Sequence, residues 1–231
     1  MTLSIKSLKS EKIESGSIYS QYSITDLKFG QGITIGNLLR RVLLNDLGGI
    51  AITGIRIAGI NDEFSVIPGI REDILEILLN LKGIVIKSSR RDISFGNLKI
   101  KGPAIITANS IKLPSDLIIV NPNHYIATIS TSTILEIEFK FEYGNGYLLS
   151  NQNFYQNSED FLRIDAVFMP VQKVDFKIEN IYDNSNVITE KLILDVWTNG
   201  SISPDDAISE ASKIIVELFS SILENKFKYS I

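Results

Sequence analysis

The amino-acid sequence predicts an α+β fold on three observations. Apolar residues recur at helical spacing in three separated segments, and much of the chain between them alternates with the period of two that a half-buried strand requires. The helical segments do not alternate regularly with strands, as a βαβ array would. With 231 residues, 44% of them hydrophobic and 22% charged, the chain can bury one or two compact cores and has no need to be disordered.

The first helix is predicted from about Thr34 to Asp46, where Ile35, Leu38, Leu39, Val42 and Leu43 share one stripe and Gly48-Gly49 is expected to stop it. Leu44 lies roughly opposite that stripe, flanked by Arg40 and Arg41. It is either an ordinary exposed leucine or part of a contact patch, since arginine is enriched at interfaces. The second helix is predicted over Ile70 to Lys82, with Ile70, Ile74, Ile77, Leu78 and Leu81 buried, Asp73 and Glu76 opposite or beside them, and Gly83 ending it.

A strand is predicted from Leu135 to Tyr143, ahead of the turn Gly144-Asn145-Gly146, with Glu136, Glu138 and Glu142 forming a solvated outer row. Lys191 to Trp197 alternates similarly. The third helix opens at Ser203-Pro204-Asp205-Asp206, which supplies a capping hydroxyl, a proline at the first helical position and two acids to offset the helix dipole. It is expected to run to about Phe227.

On this last helix Ile208, Ala211, Ile215, Leu218 and Ile222 follow a 3,4 spacing, and Ile214, Val216, Phe219, Leu223 and Phe227 extend it. The apolar arc then spans roughly 200°, where packing on a single face needs about half that. Either the helix is sunk in its own domain or it is shared between its own sheet and a partner chain. With no later element to cover it, the partner is the expected reading.

Several function classes are excluded or disfavoured. No cysteine is present, so disulfides, thiolate chemistry and cysteine-held zinc are out, and one histidine leaves little for a metal site. No metal and no cofactor are expected. The formal net charge of −4, from 23 Lys+Arg against 27 Asp+Glu, disfavours direct capture of nucleic acid. Gly30-Gln31-Gly32 lacks both the Lys-Ser/Thr of a phosphate loop and the G-x-G-x-x-G spacing, so it reads as a turn leading into a helix. His124 sits in the turn-like Asn121-Pro122-Asn123-His124 and is expected to be solvated or structurally bonded. Asn199-Gly200-Ser201 matches a glycosylation sequon and reads as a turn.

No apolar run is long enough to span a bilayer and the N-terminus has no signal-peptide core, so no membrane role and an internal aqueous compartment are expected. Richness in Ile, Asn, Ser and Lys hints at AT-rich codons, as in a plastid genome, with the chloroplast stroma or else a bacterial cytoplasm as the location.

The segment from Gly32 through Ile35, Asn37, Arg40 and Arg41 to Leu44 closely resembles the signature helix of bacterial and plastid DNA-directed RNA polymerase alpha subunits. Glu72 to Gly83, Lys101-Gly102-Pro103-Ala104 and Gly144-Asn145-Gly146-Tyr147 are similar to further motifs of that family, in the same order. So are Asp165 with Pro170-Val171, and Thr198-Asn199-Gly200 with Ser203 to Ile208. Leu38 stands where the family carries a small residue, and Met169 where a serine often precedes the proline.

The resemblance implies a non-catalytic subunit that homodimerises and scaffolds the beta and beta-prime subunits, meeting DNA only indirectly through the assembled enzyme. It implies a dimerisation subdomain from residues 1–46 and 170–231, with an inserted, mostly-β subdomain at 47–169 contacting the large subunits. The dimer contact is implied to use Ile35, Leu38, Leu39, Val42 and Leu43 on the first helix and Ile208, Ala211, Ile215, Leu218, Phe219 and Ile222 on the last. Arg41 and Leu44 match beta-contacting positions, and Lys82 and Ile164 match positions that hold beta-prime. Many family members continue into a small DNA- and activator-binding domain, so promoter upstream-element reading is not expected from this polypeptide. Two other readings stay open: a homodimeric interaction module without a polymerase link, and a small α+β enzyme with an unrecognised site.

Overall fold

The computed structural model describes residues 4–13, 16–60, 62–150, 161–182 and 188–224. In chain order the elements begin β1 (Ser4–Lys12), β2 (Ile18–Lys28), α1 (Gln31–Asn45), β3 (Gly48–Ile57), α2 (Ile74–Lys82), β4 (Ile86–Ser88) and β5 (Ser94–Lys101). Then come β6 (Ala104–Thr107), β7 (Leu117–Ile119), β8 (Tyr125–Ile129), β9 (Ile134–Asn145), β10 (Tyr147–Leu148), β11 (Leu162–Arg163) and β12 (Ala166–Val167). The last are β13 (Val171–Tyr182), β14 (Ile188–Thr198) and α3 (Pro204–Glu224). The class is α+β. The chain divides into two units, Met1–Leu47 with Pro170–Ile231, and Gly48–Met169.

In the first unit four antiparallel strands pair in the order β1-β2-β14-β13, and α1 lies over β13 and β14 and against α3. Leu39, Val42 and Leu43 of α1 and Ala207 and Ala211 of α3 close the core over Tyr22, Leu192, Leu194 and Val196. The second unit is built around β3, which has β9 on one side and β4 and β11 on the other, in a sheet ordered β5-β9-β3-β4-β7. Leu135, Ile137, Phe139 and Phe141 alternate inward along β9, and α2 covers the core with Ile74, Ile77, Leu78 and Leu81.

The helix bounds differ from the sequence expectation for identifiable reasons. α1 starts three residues before Thr34. Gly30, at φ 85, lets the chain turn into the helix, and the buried Glu190 carboxylate on β14 accepts the N–H groups of Gly30 and Gly32 at 2.8 and 2.7 Å. That satisfies two otherwise orphaned donors at the positive end of the helix. Gly48-Gly49 does not stop α1, which ends at Asn45, but opens β3. A Cβ on Gly49 would lie 2.5 Å from the Phe168 carbonyl oxygen, so close backbone approach explains the glycine there.

α2 starts at Ile74 rather than Ile70, because Asp73 is its cap, accepting the Glu76 N–H at 2.7 Å. Ile70 instead bridges to Ile129 on β8. Ser203 caps α3 as expected, accepting the Asp206 N–H at 3.1 Å and donating its hydroxyl to the Asp206 carboxylate at 2.6 Å. The expected end near Phe227, and Phe227 itself, lie outside the described residues.

Candidate functional site

α3 is amphipathic for its first half and apolar on its open side thereafter. Ala207 and Ala211 are buried, and Ile208, Ile214 and Ile215 pack partly against the core of the first unit. Beyond them Val216, Leu218, Phe219, Ile222 and Leu223 are 50–82% exposed. Single exposed apolar side chains are ordinary, but five within eight consecutive positions form a contiguous patch of the kind that marks an interaction surface.

The residues assigned to a dimer contact from the sequence therefore separate into two groups. Leu218, Phe219 and Ile222 are exposed, and Ile35, Leu38, Ile208 and Ile215 are half-buried. Leu39, Val42, Leu43 and Ala211 are at most 6% exposed and fill the core of the first unit. They shape the helices that carry the exposed residues. Exposed Ile33 adds apolar area at the start of α1, outside the residues expected from the sequence.

Arg41 is exposed on α1, next to exposed Arg40. Leu44 is half-buried and packs on the core of the first unit. The expectation that it projects opposite the core is corrected accordingly.

In the second unit the last residue of α2 meets the segment around β12. Lys82 donates its ammonium to the Tyr147 hydroxyl at 2.8 Å, and that hydroxyl donates to Asp165 Oδ2 at 2.8 Å. Asp165 Oδ1 accepts the Ser150 N–H at 2.9 Å, and the ammonium lies 3.7 Å from Oδ2. The bond to Tyr147 raises the Lys82 pKa, while the Ser150 N–H, Tyr147 and Lys82 hold the Asp165 carboxyl below its usual range. The ammonium also sits 4.8 Å from the Tyr147 ring centroid, close enough for a cation–π contribution.

Ile164 does not face this cluster's surface. It is 4% exposed within the core of the second unit, and its N–H is bonded to the Thr53 carbonyl at 3.0 Å. It directly precedes Asp165 in the chain. No role for Tyr147 and Asp165 is legible in the sequence, because their partner Lys82 lies 65 and 83 positions away in the chain.

Other groups are structural. His124 Nε2 lies 2.8 Å from the Asn80 carbonyl oxygen. A Cβ on Gly83 would fall 2.7 Å from that imidazole, and Gly83 has a right-handed φ of −82, so crowding rather than backbone conformation requires the glycine that ends α2. Asn199 Oδ1 accepts the Ser201 N–H at 2.9 Å, the side-chain turn expected there. Glu136, Glu138 and Glu142 are paired with Lys99, Arg56 and Lys140 rather than simply solvated.

The RNA polymerase Rpb3/RpoA insert domain profile matches residues 55–169, nearly all of the second unit. The DNA-directed RNA polymerase subunit alpha of Trieres chinensis is 71% identical over 222 residues, covering 96% of this chain and 71% of that one. The subunit of that name from Phaeodactylum tricornutum is 64% identical, covering 97% and 72%, and that from Cyanophora paradoxa 47% identical, covering 94% and 69%. With such identity across both units, the chain belongs to the family of DNA-directed RNA polymerase alpha subunits.

Proposed function

We propose that this chain acts within the polymerase as a homodimeric, non-catalytic scaffold on which the beta and beta-prime subunits assemble. The observation that carries the reading is the exposed row Val216, Leu218, Phe219, Ile222 and Leu223 on α3. Burying one large apolar side chain contributes about 1.5–3 kcal/mol, and a two-fold axis doubles the count, which is enough to offset the cost of association.

The first unit serves as the dimerisation part and the second as the part that meets the large subunits. Arg41, exposed on α1, is the beta contact, supported from beside it by half-buried Leu44. Lys82 is the beta-prime contact, with Ile164 acting through Asp165. In favour of a scaffold rather than an enzyme, the groups of the second unit with shifted pKa values are engaged with one another. Tyr125 and the Thr128 N–H bind buried Glu72, and Tyr147 joins Lys82 to Asp165. DNA is met only through the assembled enzyme, in keeping with the net charge of −4. A plastid location accords with the composition and with the algal sources of the relatives.

Sedimentation equilibrium of the purified chain tests the scaffold reading first. A dimer at micromolar concentration that captures beta and then beta-prime is the expected result, and a stable monomer overturns it.

A further inference from the structure

Resting on the reading of Lys82 as a beta-prime contact, we propose that Tyr147 and Asp165 hold Lys82 as an aimed, charge-balanced hydrogen-bond donor, and that the beta-prime group it meets is an uncharged acceptor such as a backbone carbonyl. Tyr147 is the positioning residue. Its hydroxyl touches both charged groups, at 2.8 Å from each.

A lysine at a helix end ordinarily sweeps a wide volume on a flexible four-carbon stem and acts as a hydrated point charge. Here one of the three ammonium N–H groups is fixed by Tyr147, and the side chain is only 30% exposed. The stem is thereby restrained, which lowers the entropy lost when a partner arrives. The remaining N–H capacity is left for an acceptor from outside.

The charge balance decides which acceptor fits. Asp165 keeps its negative charge 3.7 Å from the ammonium, so the pair has little net field at a distance. Its carboxylate is already bonded to Ser150 and Tyr147 and is 35% exposed. A partner carboxylate brought against Lys82 would be forced close to Asp165, and like charges at that range repel. A neutral carbonyl meets no such opposition. Binding through it depends on direction and distance, and salt screening barely touches it.

The experiment measures beta-prime affinity for the complex of the alpha dimer with beta, using wild type, K82A, Y147F, D165N and the double variant K82A/Y147F at 50 and 500 mM KCl. K82A is expected to bind beta-prime about tenfold more weakly, and Y147F nearly as weakly while keeping wild-type melting behaviour and beta affinity. The double variant is expected to match K82A alone, because Tyr147 acts through Lys82; a merely structural tyrosine would add its own loss. The ratio of wild-type to K82A affinity is expected to hold at both salt concentrations, and D165N to bind no tighter than wild type.

If K82A binds normally, the beta-prime role of Lys82 fails and this inference goes with it. If K82A is weakened but Y147F is not, or if the two losses add, positioning alone is overturned. Tighter binding by D165N at low salt, or a ratio that collapses at high salt, reveals a charged partner group and overturns the neutral acceptor. Tyr147 is 44% exposed, so phenylalanine is readily accommodated. Should Y147F nevertheless melt early, D165A, which removes the acceptor of the Tyr147 hydroxyl, supplies the same cycle with K82A.

Discussion

The Glu190 carboxylate on β14 receives the backbone N–H of Gly32 at 2.7 Å, 158 positions away in the chain, and the two residues fit so closely that a Cβ on Gly32 would lie 2.8 Å from the same carboxylate oxygen. This carboxylate thus ties the N-terminus of α1 to the sheet. Glu190 is 5% exposed, so its removal leaves two N–H groups of the first turn without an acceptor. Glu190→Ala is expected to destabilise the first unit by about 2–4 kcal/mol, and Gly32→Ala by about 1–3 kcal/mol, through displacement of the carboxylate. Urea unfolding followed by circular dichroism checks both; an unchanged midpoint in Glu190→Ala means that water replaces the carboxylate at no loss.

Phe219→Glu places a charge in the middle of the exposed α3 row. Because Phe219 is 50% exposed within its own chain, the fold should hold, with a thermal midpoint near wild type. The dimer should weaken by at least a hundredfold, about 2.7 kcal/mol, in sedimentation equilibrium. A variant that dimerises normally removes α3 from the interface.

Arg41→Ala leaves the core residues Leu39, Val42 and Leu43 untouched, so the dimer should persist. Recruitment of beta should fall at least tenfold, about 1.4 kcal/mol. A pull-down run beside size-exclusion chromatography separates the outcomes. Loss of the dimer makes Arg41 a structural residue, and normal beta capture removes it from that interface.

Tyr19 donates to Asp195 at 2.7 Å, and that bond, with burial adding to it, pushes the phenol from 10.0 up to about 12. The folded chain keeps a proton that the unfolded chain releases near pH 10. Stabilisation from this bond is therefore complete below pH 10 and is lost as pH rises from about 10 to about 12. Tyr19→Phe should be less stable at pH 8 and lose stability less steeply above pH 10. Parallel alkaline limbs for the two proteins, measured by urea midpoint, would contradict the assignment.

Local periodicity made much of the fold legible. The stripe of α1, the cap of α3 at Ser203 and the alternation of Leu135, Ile137, Phe139 and Phe141 are short-range patterns, set by rotation per residue and by capping chemistry. The start of α1 was not legible, because it depends on Glu190, a carboxylate that reaches Gly32 only after β14 has paired with β2. The capping role of Asp73 is hidden in the sequence because Ile70 fits the helical period while pairing elsewhere.

At the candidate sites the same division holds. Composition and spacing alone determined that this chain has surplus apolar surface on its last helix, and its motifs carried the family. Which apolar residues are surplus was decided only by packing, since a helix period places Ala211 and Leu218 on one arc and cannot say that the sheet covers the first and leaves the second 53% exposed. Likewise Lys82, Tyr147 and Asp165 become a single unit only when α2 and the segment around β12 are brought together. Hydrogen bonds act over about 3 Å in space and are blind to separation along the chain, so long-range polar sites are decided by the tertiary structure.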